Sequence, residues 1–195
     1  MIIWVDGTYG VGKTAVAKKI REKLGSVAEL LESDYYSNET LKKIVEEAET
    51  SRTMPHMGGT LPQNNMRFIK EFKRVIEEKS EDTSKLWIID MALTQVECKE
   101  NLFDFLQMAG KNIVHFILTA DELIIQERIK KDENRMKGLA LDWLEDNISF
   151  LKNNYPDAIW INTDNLDTDG VADKVIEMIL SLIHISEPTR LALIS

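Results

Sequence analysis

The sequence predicts an α/β fold in which a parallel sheet is covered by helices on both faces. Three observations support this class. Five short apolar runs have the length and residue types of buried strands. Helical stretches separate these runs, as parallel strands require. A glycine-rich loop joins the first run to the first helix. The predicted strands are Ile2–Val5, Val27–Glu32, Leu86–Ile89, Ile113–Leu118 and Ala158–Ile161.

The loop after the first strand has the spacing of a phosphate-binding motif. Its sequence, GTYGVGKT, fits G-x-x-x-x-G-K-[ST] and lies between a strand and a helix. Glycines let the backbone approach phosphate, and the loop N–H groups form an anion nest. Lys13 is placed to reach the β- and γ-phosphates and Thr14 to bind Mg²⁺. The predicted nucleotide-binding residues are Gly7, Thr8, Tyr9, Gly10, Val11, Gly12, Lys13 and Thr14.

Helical periodicity and capping residues predict the connections between the strands. The first helix spans Ala15–Leu24 and is stopped by Gly25, and the second spans residues 38–50 with Asn38 as its cap. A third, Gln63–Lys79, has Met66, Ile69, Phe72, Val75 and Ile76 on one face. The remaining helices are predicted over 97–109, 121–131 with Asp121 as cap, 141–151, and from about Asp169.

Composition limits the function classes. The chain has 195 residues, 44% of them hydrophobic, and a net charge of −9, which predicts a soluble domain with a sizeable core. The acidic balance and the lack of a dense Lys/Arg cluster argue against a nucleic-acid partner. No apolar run is long enough to span a membrane and no signal peptide precedes the loop, so we expect no membrane insertion and a cytoplasmic protein. The single cysteine, Cys98, is expected to be a buried hydrophobe.

Two carboxylates follow predicted strands on the side of the phosphate-binding loop. Asp90, after four apolar residues, has the position of a Walker B acid that orients Mg²⁺; the alternative is a helix cap or turn former. Asp34, after the second strand, is positioned to hold or deprotonate a substrate hydroxyl. The alternative for Asp34 is an Asx-turn that caps the next helix.

Arginines are the expected partners of a transferring phosphoryl group. Arg128 and Arg135 flank a charged segment, at about residues 130–140, that is a candidate lid over ATP. Arg67 follows the loop rich in proline and glycine and is a candidate for steering substrate. Each of the three, taken alone, is also typical of a solvated surface. His56 and His115 are interpreted as ordinary loop and strand residues.

Three further segments carry a resemblance to a known family. They are Met1–Trp4 leading into Gly7, Ile113–Phe116 with Leu123–Ile129, and Ile161–Leu166. With the loop, they make the chain to about residue 179 resemble the P-loop kinases related to nucleotide, shikimate and antibiotic kinases, and in particular the tunicamycin-resistance ATP-binding protein family. Arg67 matches an arginine of that family, although Met66 stands where the family has an aromatic. Asp90 departs from it, because the relative has proline there.

The resemblance implies a P-loop NTPase three-layer sandwich with sheet order 2-3-1-4-5. It also implies ATP binding at Gly7–Thr14, a lid near Arg128–Arg135, and Thr163, Asp164 and Asn165 near the adenine. Asp34 occupies the place of a substrate-binding carboxylate in related kinases.

The last residues resemble translated sequencing adapter. Leu180–Arg190 matches an adapter translation, and Leu191–Ser195 resembles index bases followed by more adapter. We therefore expect residues 1–179 to form the kinase-like domain and residues 180–195 to be a non-native tail.

These observations predict an ATP-dependent kinase that phosphorylates a hydroxyl of a small molecule, such as a nucleoside-like compound or an antibiotic. The alternative is an ATP-binding resistance protein that sequesters a drug without phosphoryl transfer. A GTP-specific switch is not supported, because no Asn-Lys-x-Asp signature is present. The acceptor pocket is expected among residues 35–67, and the sequence leaves the oligomeric state open.

Overall fold

The sheet has the predicted architecture. The computed structural model describes residues 1–55, 62–132 and 137–186. All strand pairings are parallel, and the order is β2-β3-β1-β4-β5. This confirms the fold class and the implied strand order. The strands are β1 Ile2–Gly7, β2 Ala28–Glu32, β3 Leu86–Asp90, β4 Ile113–Thr119 and β5 Ile159–Asn162.

Helices cover both faces of the sheet. They are α1 Lys13–Leu24, α2 Ser33–Ser51, α3 Met66–Lys79, α4 Val96–Cys98, α5 Phe105–Met108, α6 Glu122–Lys131, α7 Lys137–Asp142, α8 Leu144–Asn154 and α9 Thr168–Ser186. Short 3₁₀ turns lie at Gly25–Val27 and Pro62–Asn64. A π-helix, Lys99–Asp104, connects α4 to α5.

The central strand explains the two-layered core. Every residue of β1 is buried, and alternate side chains enter opposite layers. Ile3 and Val5 pack in the cluster formed with α1, α6 and α9, whereas Ile2 and Trp4 pack in the cluster formed with α3, the π-helix and α8. Cys98 is buried in the second layer with 0% exposure, as predicted. A strand covered on both faces holds the loop that follows it in a fixed position.

Several helix boundaries differ from the sequence-based prediction. The predicted helix 141–151 is divided between the end of α7 at Asp142 and α8, which runs from Leu144 to Asn154, and α1 begins at Lys13 rather than Ala15. Helix α2 begins at Ser33 rather than at residue 38, so Asn38 is an exposed residue within the helix and not its cap. The cause is tertiary, because the Ser33 hydroxyl donates to the Asp90 carbonyl at 2.6 Å and the Ser33 N–H donates to the Asp90 carboxylate at 3.2 Å. Helix α3 begins at Met66 and is capped by the Asn65 side chain.

The buried face of α3 also differs by one residue. Met66 was expected on it but is 46% exposed, while Phe68 is buried. The helix starts three residues later than predicted, so its first residue lies at the surface end of the apolar stripe. The expected helix 97–109 is present, but its middle is the π-helix rather than regular α-helix.

The last helix crosses the expected domain boundary. Helix α9 continues from Thr168 to Ser186, so the first residues of the adapter-like tail extend it. Residues 187–195 lie outside the described part of the chain, and the 1–179 domain limit stays a prediction. Within the described residues, none of the helices has the length and apolarity needed to cross a membrane.

Candidate nucleotide-binding site

A cavity of about 660 Å³ opens at the carboxyl ends of the strands. Its lining includes the phosphate-binding loop after β1, Asp34 at the start of α2 and Asp90 at the end of β3. Arg128 of α6 and Thr163 after β5 also line it. This edge is where open parallel sheets bind ligands. The fold therefore gathers residues from four strand ends into one cavity.

The glycines of the loop have the backbone geometry that the motif requires. Gly10 and Gly12 have φ values of 81° and 92°, a left-handed region that side chains disfavour. A Cβ at Gly7 would lie 2.5 Å from the carbonyl oxygen of Leu118 on the adjacent strand β4. Helix α1 starts at Lys13, so its N-terminal N–H groups face the loop. The backbone itself thus forms an anion-binding concavity.

Lys13 lies across this loop. Its ammonium donates a hydrogen bond to the Thr8 carbonyl at 2.9 Å and lies 5.8 Å from the centre of the Tyr9 ring. Both residues lie within the same motif. A phosphate in the cradle would compete with the Thr8 carbonyl for the ammonium, and the contact with phosphate would be the stronger one because both partners are charged.

Asp90 and Thr14, the two predicted metal ligands, line the same cavity and lie in contact. The Asp90 carboxyl is 4% exposed and accepts hydrogen bonds from the Thr14 hydroxyl and the Ser33 N–H. Burial raises the pKa of Asp90 to about 6, although the two hydrogen bonds act to lower it. A hydroxyl and a carboxylate that share one point beside the loop fit Mg²⁺, which takes one or two protein ligands together with phosphate oxygens and water.

Within the described residues, side chains alone do not form a metal site. Among residues 1–55, 62–132 and 137–186, no group of three or more His, Cys, Asp or Glu side chains could hold a metal ion.

Asp34 is an exposed carboxylate in the cavity lining. It belongs to the first turn of α2, its side chain is exposed, and it lines the cavity with Lys13 and Asp90. The N-terminal end of a helix favours a negative charge at this position. The geometry thus keeps Asp34 available to a bound molecule.

Arg128 is fixed to the turn after β5. Its guanidinium donates to the Thr163 hydroxyl at 3.0 Å and to the Thr163 carbonyl at 3.1 Å. This pairing holds a cation at the mouth of the cavity and orders the turn at the same time. Arg135, its predicted partner in the lid, lies outside the described residues.

The turn predicted to lie near adenine divides into two parts. Thr163 is 2% exposed and lines the cavity. Asp164 bonds within the turn to Asn162 and to the Asp121 N–H, contacts that lower the pKa of its carboxyl, and Asn165 is exposed. The cavity wall continues instead through Leu166, Asp167 and Thr168, which the sequence did not single out.

Arg67 is held away from the cavity lining. Its guanidinium donates two hydrogen bonds of 2.7 Å to Glu47 and one of 3.3 Å to Glu71. These contacts raise the pKa of Arg67 still further and tie α3 to α2. Its role in steering substrate stays a prediction.

A buried carboxylate that sequence reasoning missed lies directly before the loop and binds its first residue. Asp6, fully buried at the end of β1, accepts hydrogen bonds from the N–H groups of Gly7 and Leu93, the latter at 3.0 Å. Its other oxygen lies 2.9 Å from His115 Nε2 on β4. The available signal was an acidic residue inside an apolar strand directly before the loop, since such a group needs buried partners.

Comparisons with known proteins agree with this geometry. The chain superposes on a tunicamycin resistance protein from Deinococcus radiodurans with a TM-score of 0.71 and 22% identity, covering 91% of this chain and 94% of that one. A shikimate kinase from Bacteroides thetaiotaomicron gives 0.58 and 18%, covering 94% and 98%. A gluconokinase from Sinorhizobium meliloti 1021 gives 0.60 and 11%, covering 95% and 96%. At these identities the likeness shows the fold.

The family is shown by the sequence itself. No curated protein sequence matches the chain significantly. The profile of one family, described as an AAA domain, matches residues 2–145, which include the loop, both strand-end carboxylates and Arg128. The chain therefore belongs to this AAA domain family and has a P-loop kinase-like fold.

Proposed function

We propose that this chain is an ATP-dependent phosphotransferase that moves the γ-phosphoryl group to a hydroxyl of a small molecule. One observation carries the proposal: Lys13, Asp34, Asp90 and Arg128 line a single cavity at the strand ends. A phosphate cradle, a metal-binding carboxylate, a substrate carboxylate and a cation are the groups that phosphoryl transfer to an alcohol needs.

The cradle would hold the nucleotide through backbone N–H groups and Lys13. Thr14 and Asp90 would hold Mg²⁺, which supplies neutralisation of charge on the β- and γ-phosphate oxygens. Asp34 would position the acceptor hydroxyl and accept its proton as the hydroxyl oxygen bonds to the γ-phosphorus. The bond from that phosphorus to the bridging oxygen breaks, and ADP leaves. Arg128 would stabilise charge on the transferring group.

The proposal includes the compartment of the protein, a lid over ATP and the position of the adenine. A single buried thiol fits a reducing compartment, and the reaction needs a supply of ATP, so we place the protein in the cytoplasm. The segment at about residues 130–140, with Arg135, would act as a lid that closes on ATP. The turn at Thr163–Asn165 would lie on the adenine side.

The test is ADP release by the full chain with ATP and Mg²⁺. It compares no acceptor with a panel of nucleosides, aminoglycosides, chloramphenicol-like drugs and tunicamycin. We expect acceptor-dependent ADP release that is lost in Lys13→Ala and kept in Lys19→Ala, a lysine of the same helix that pairs with Glu22. Tight ATP binding without acceptor-dependent release would reject transfer in favour of the sequestration alternative.

A further inference from the structure

A second cavity adjoins the nucleotide cavity. Its volume is about 550 Å³, and Thr94 and Gln95, which follow β3, form one side of it. Gln63 lines the nucleotide cavity and accepts hydrogen bonds from the Thr94 N–H at 3.0 Å and the Thr94 hydroxyl at 2.8 Å. One hydrogen-bonded pair thus separates the two spaces. The segment after β3 runs along both, because Asp90 and Met91 line the first.

The charged side chains that line this second cavity are acidic. Glu97 of α4 and Asp146 of α8 line it, and among the described residues its lining contains no lysine or arginine. Neither carboxylate has an ion-pair partner within residues 1–55, 62–132 and 137–186. Two uncompensated carboxylates from separate elements favour a cation and disfavour an anion between them.

Aromatic and amide groups complete the lining. Trp143 and Phe150 are half-buried and offer ring faces, which bind both cations and the apolar faces of hydroxylated rings. Asn147 is 5% exposed, yet its carboxamide has no hydrogen-bond partner in the described parts of the chain. Asn147 is not among the described residues with a fully buried, unpartnered polar atom, so its amide atoms are reached from the cavity and are available to a ligand hydroxyl.

We propose that the second cavity binds the body of the acceptor, and that this acceptor is a cationic, hydroxylated ring compound of the amino sugar or aminocyclitol class. That the bound compound is the acceptor of phosphoryl transfer rests on the proposed function. The ammonium group binds Glu97 and Asp146, a ring face lies on Trp143, and hydroxyls bond to Asn147 and Gln95. One hydroxyl extends past the Gln63–Thr94 pair towards Asp34. Carboxylate acceptors such as shikimate and gluconate would meet the two like charges of Glu97 and Asp146.

The test measures probe binding to the full chain by calorimetry, with and without ATP and Mg²⁺. The probes are kanamycin and D-glucosamine as cations, methyl glucoside as the neutral ring, and shikimate and gluconate as anions. The variants are Asp146→Asn and Glu97→Gln. Matched controls are Glu145→Gln and Glu100→Gln, exposed acids on the same helical segments that lie outside the described lining.

We expect a cationic probe to bind more tightly than the neutral and anionic probes. Each of Asp146→Asn and Glu97→Gln should weaken it about five-fold, with the controls and ATP affinity unchanged. Equal effects in variants and controls overturn the inference, as does the absence of cation binding up to roughly 10 mM. Acceptor-dependent ADP release that both carboxylate variants leave unchanged also overturns it while sustaining the kinase. If a cationic probe binds through Glu97 and Asp146 but no ADP is released, the binding site is sustained and the proposed kinase activity is overturned.

Discussion

The two cavities differ in how the chain builds them. The phosphate-binding part of the nucleotide cavity is made from consecutive loop residues between β1 and α1, and their backbone lines the ligand space. The second cavity is made from side chains of separate segments, with Glu97 in α4 and Trp143 directly before α8. Under the proposed function, phosphate would therefore be recognised by geometry fixed within a few residues. Recognition in the second cavity depends on side chains that can change without disturbing the loop.

The largest effect expected on the nucleotide side follows removal of the loop lysine. Lys13→Ala should lower kcat/KM by about 10³-fold or more, since the ammonium neutralises charge where the phosphoryl group transfers. The Kd of an acceptor should stay within about two-fold, because Lys13 lines the first cavity and is not in the described lining of the second. Calorimetry and ADP release measure both values. An equal loss of acceptor binding would mean that the two cavities act as one.

In the proposed mechanism, Asp34 links the two cavities because it holds the acceptor hydroxyl beside the nucleotide. Asp34→Asn should lower kcat about 10²-fold, because the amide cannot accept the hydroxyl proton, and leave the Kd for ATP nearly unchanged. Glu39→Gln, farther along α2 and paired with Lys42, is the matched control. Turnover equal to that of the control would remove Asp34 from the proposed mechanism.

Local patterns in the sequence predict the nucleotide side well. The loop motif, the apolar run before Asp90 and the Asp121 cap all act within a few residues, and the structure has the corresponding strand and helix boundaries. Helix α2 was placed five residues late because its start depends on Ser33 bonding to Asp90, a contact across 57 residues. The second cavity lies outside the predicted 35–67 segment except at Asn64. Its lining meets only through packing, which has no periodicity along the chain.

The raised pKa of Asp90 predicts a pH dependence of the free energy of unfolding. Its folded pKa of about 6 lies above the ordinary 3.8, so the folded state holds the proton more tightly than the unfolded state. This stabilises the fold fully below the ordinary value, and the contribution is lost as pH rises towards 6. The stability gap between wild type and Asp90→Asn should therefore change by roughly 3 kcal/mol at most across that window.

Denaturant unfolding of metal-free protein at several pH values measures this gap. Asp82→Asn is the control of opposite sign, because hydrogen bonds from Ser84 lower the pKa of Asp82 and its contribution is lost as pH falls. A constant gap between wild type and Asp90→Asn would contradict the burial of an acid with a raised pKa.

Two loop glycines distinguish the effect of backbone strain from the effect of steric crowding on stability. Gly10→Ala and Gly12→Ala both force alanine into a left-handed backbone. A Cβ at Gly10 would lie 2.9 Å from Ile129, whereas a Cβ at Gly12 would meet nothing within 4 Å. Gly10→Ala should therefore lose about 2 kcal/mol more in unfolding free energy than Gly12→Ala. Equal losses would show that backbone strain alone sets the requirement for glycine.

Arg67 should give the smallest effect, and it tests whether the α2–α3 region takes part in acceptor recognition. Glu47 and Glu71 already accept its hydrogen bonds, and it lies outside the described lining of both cavities. Arg67→Ala should therefore raise the KM of the acceptor less than about three-fold and leave kcat unchanged, because a guanidinium neutralised by two carboxylates attracts little further charge. Arg74→Ala, paired with Glu78 on the same helix, is the control. A rise well above that control would mean that Arg67 exchanges Glu47 for the acceptor, and would extend acceptor recognition from the second cavity to the region predicted from the sequence.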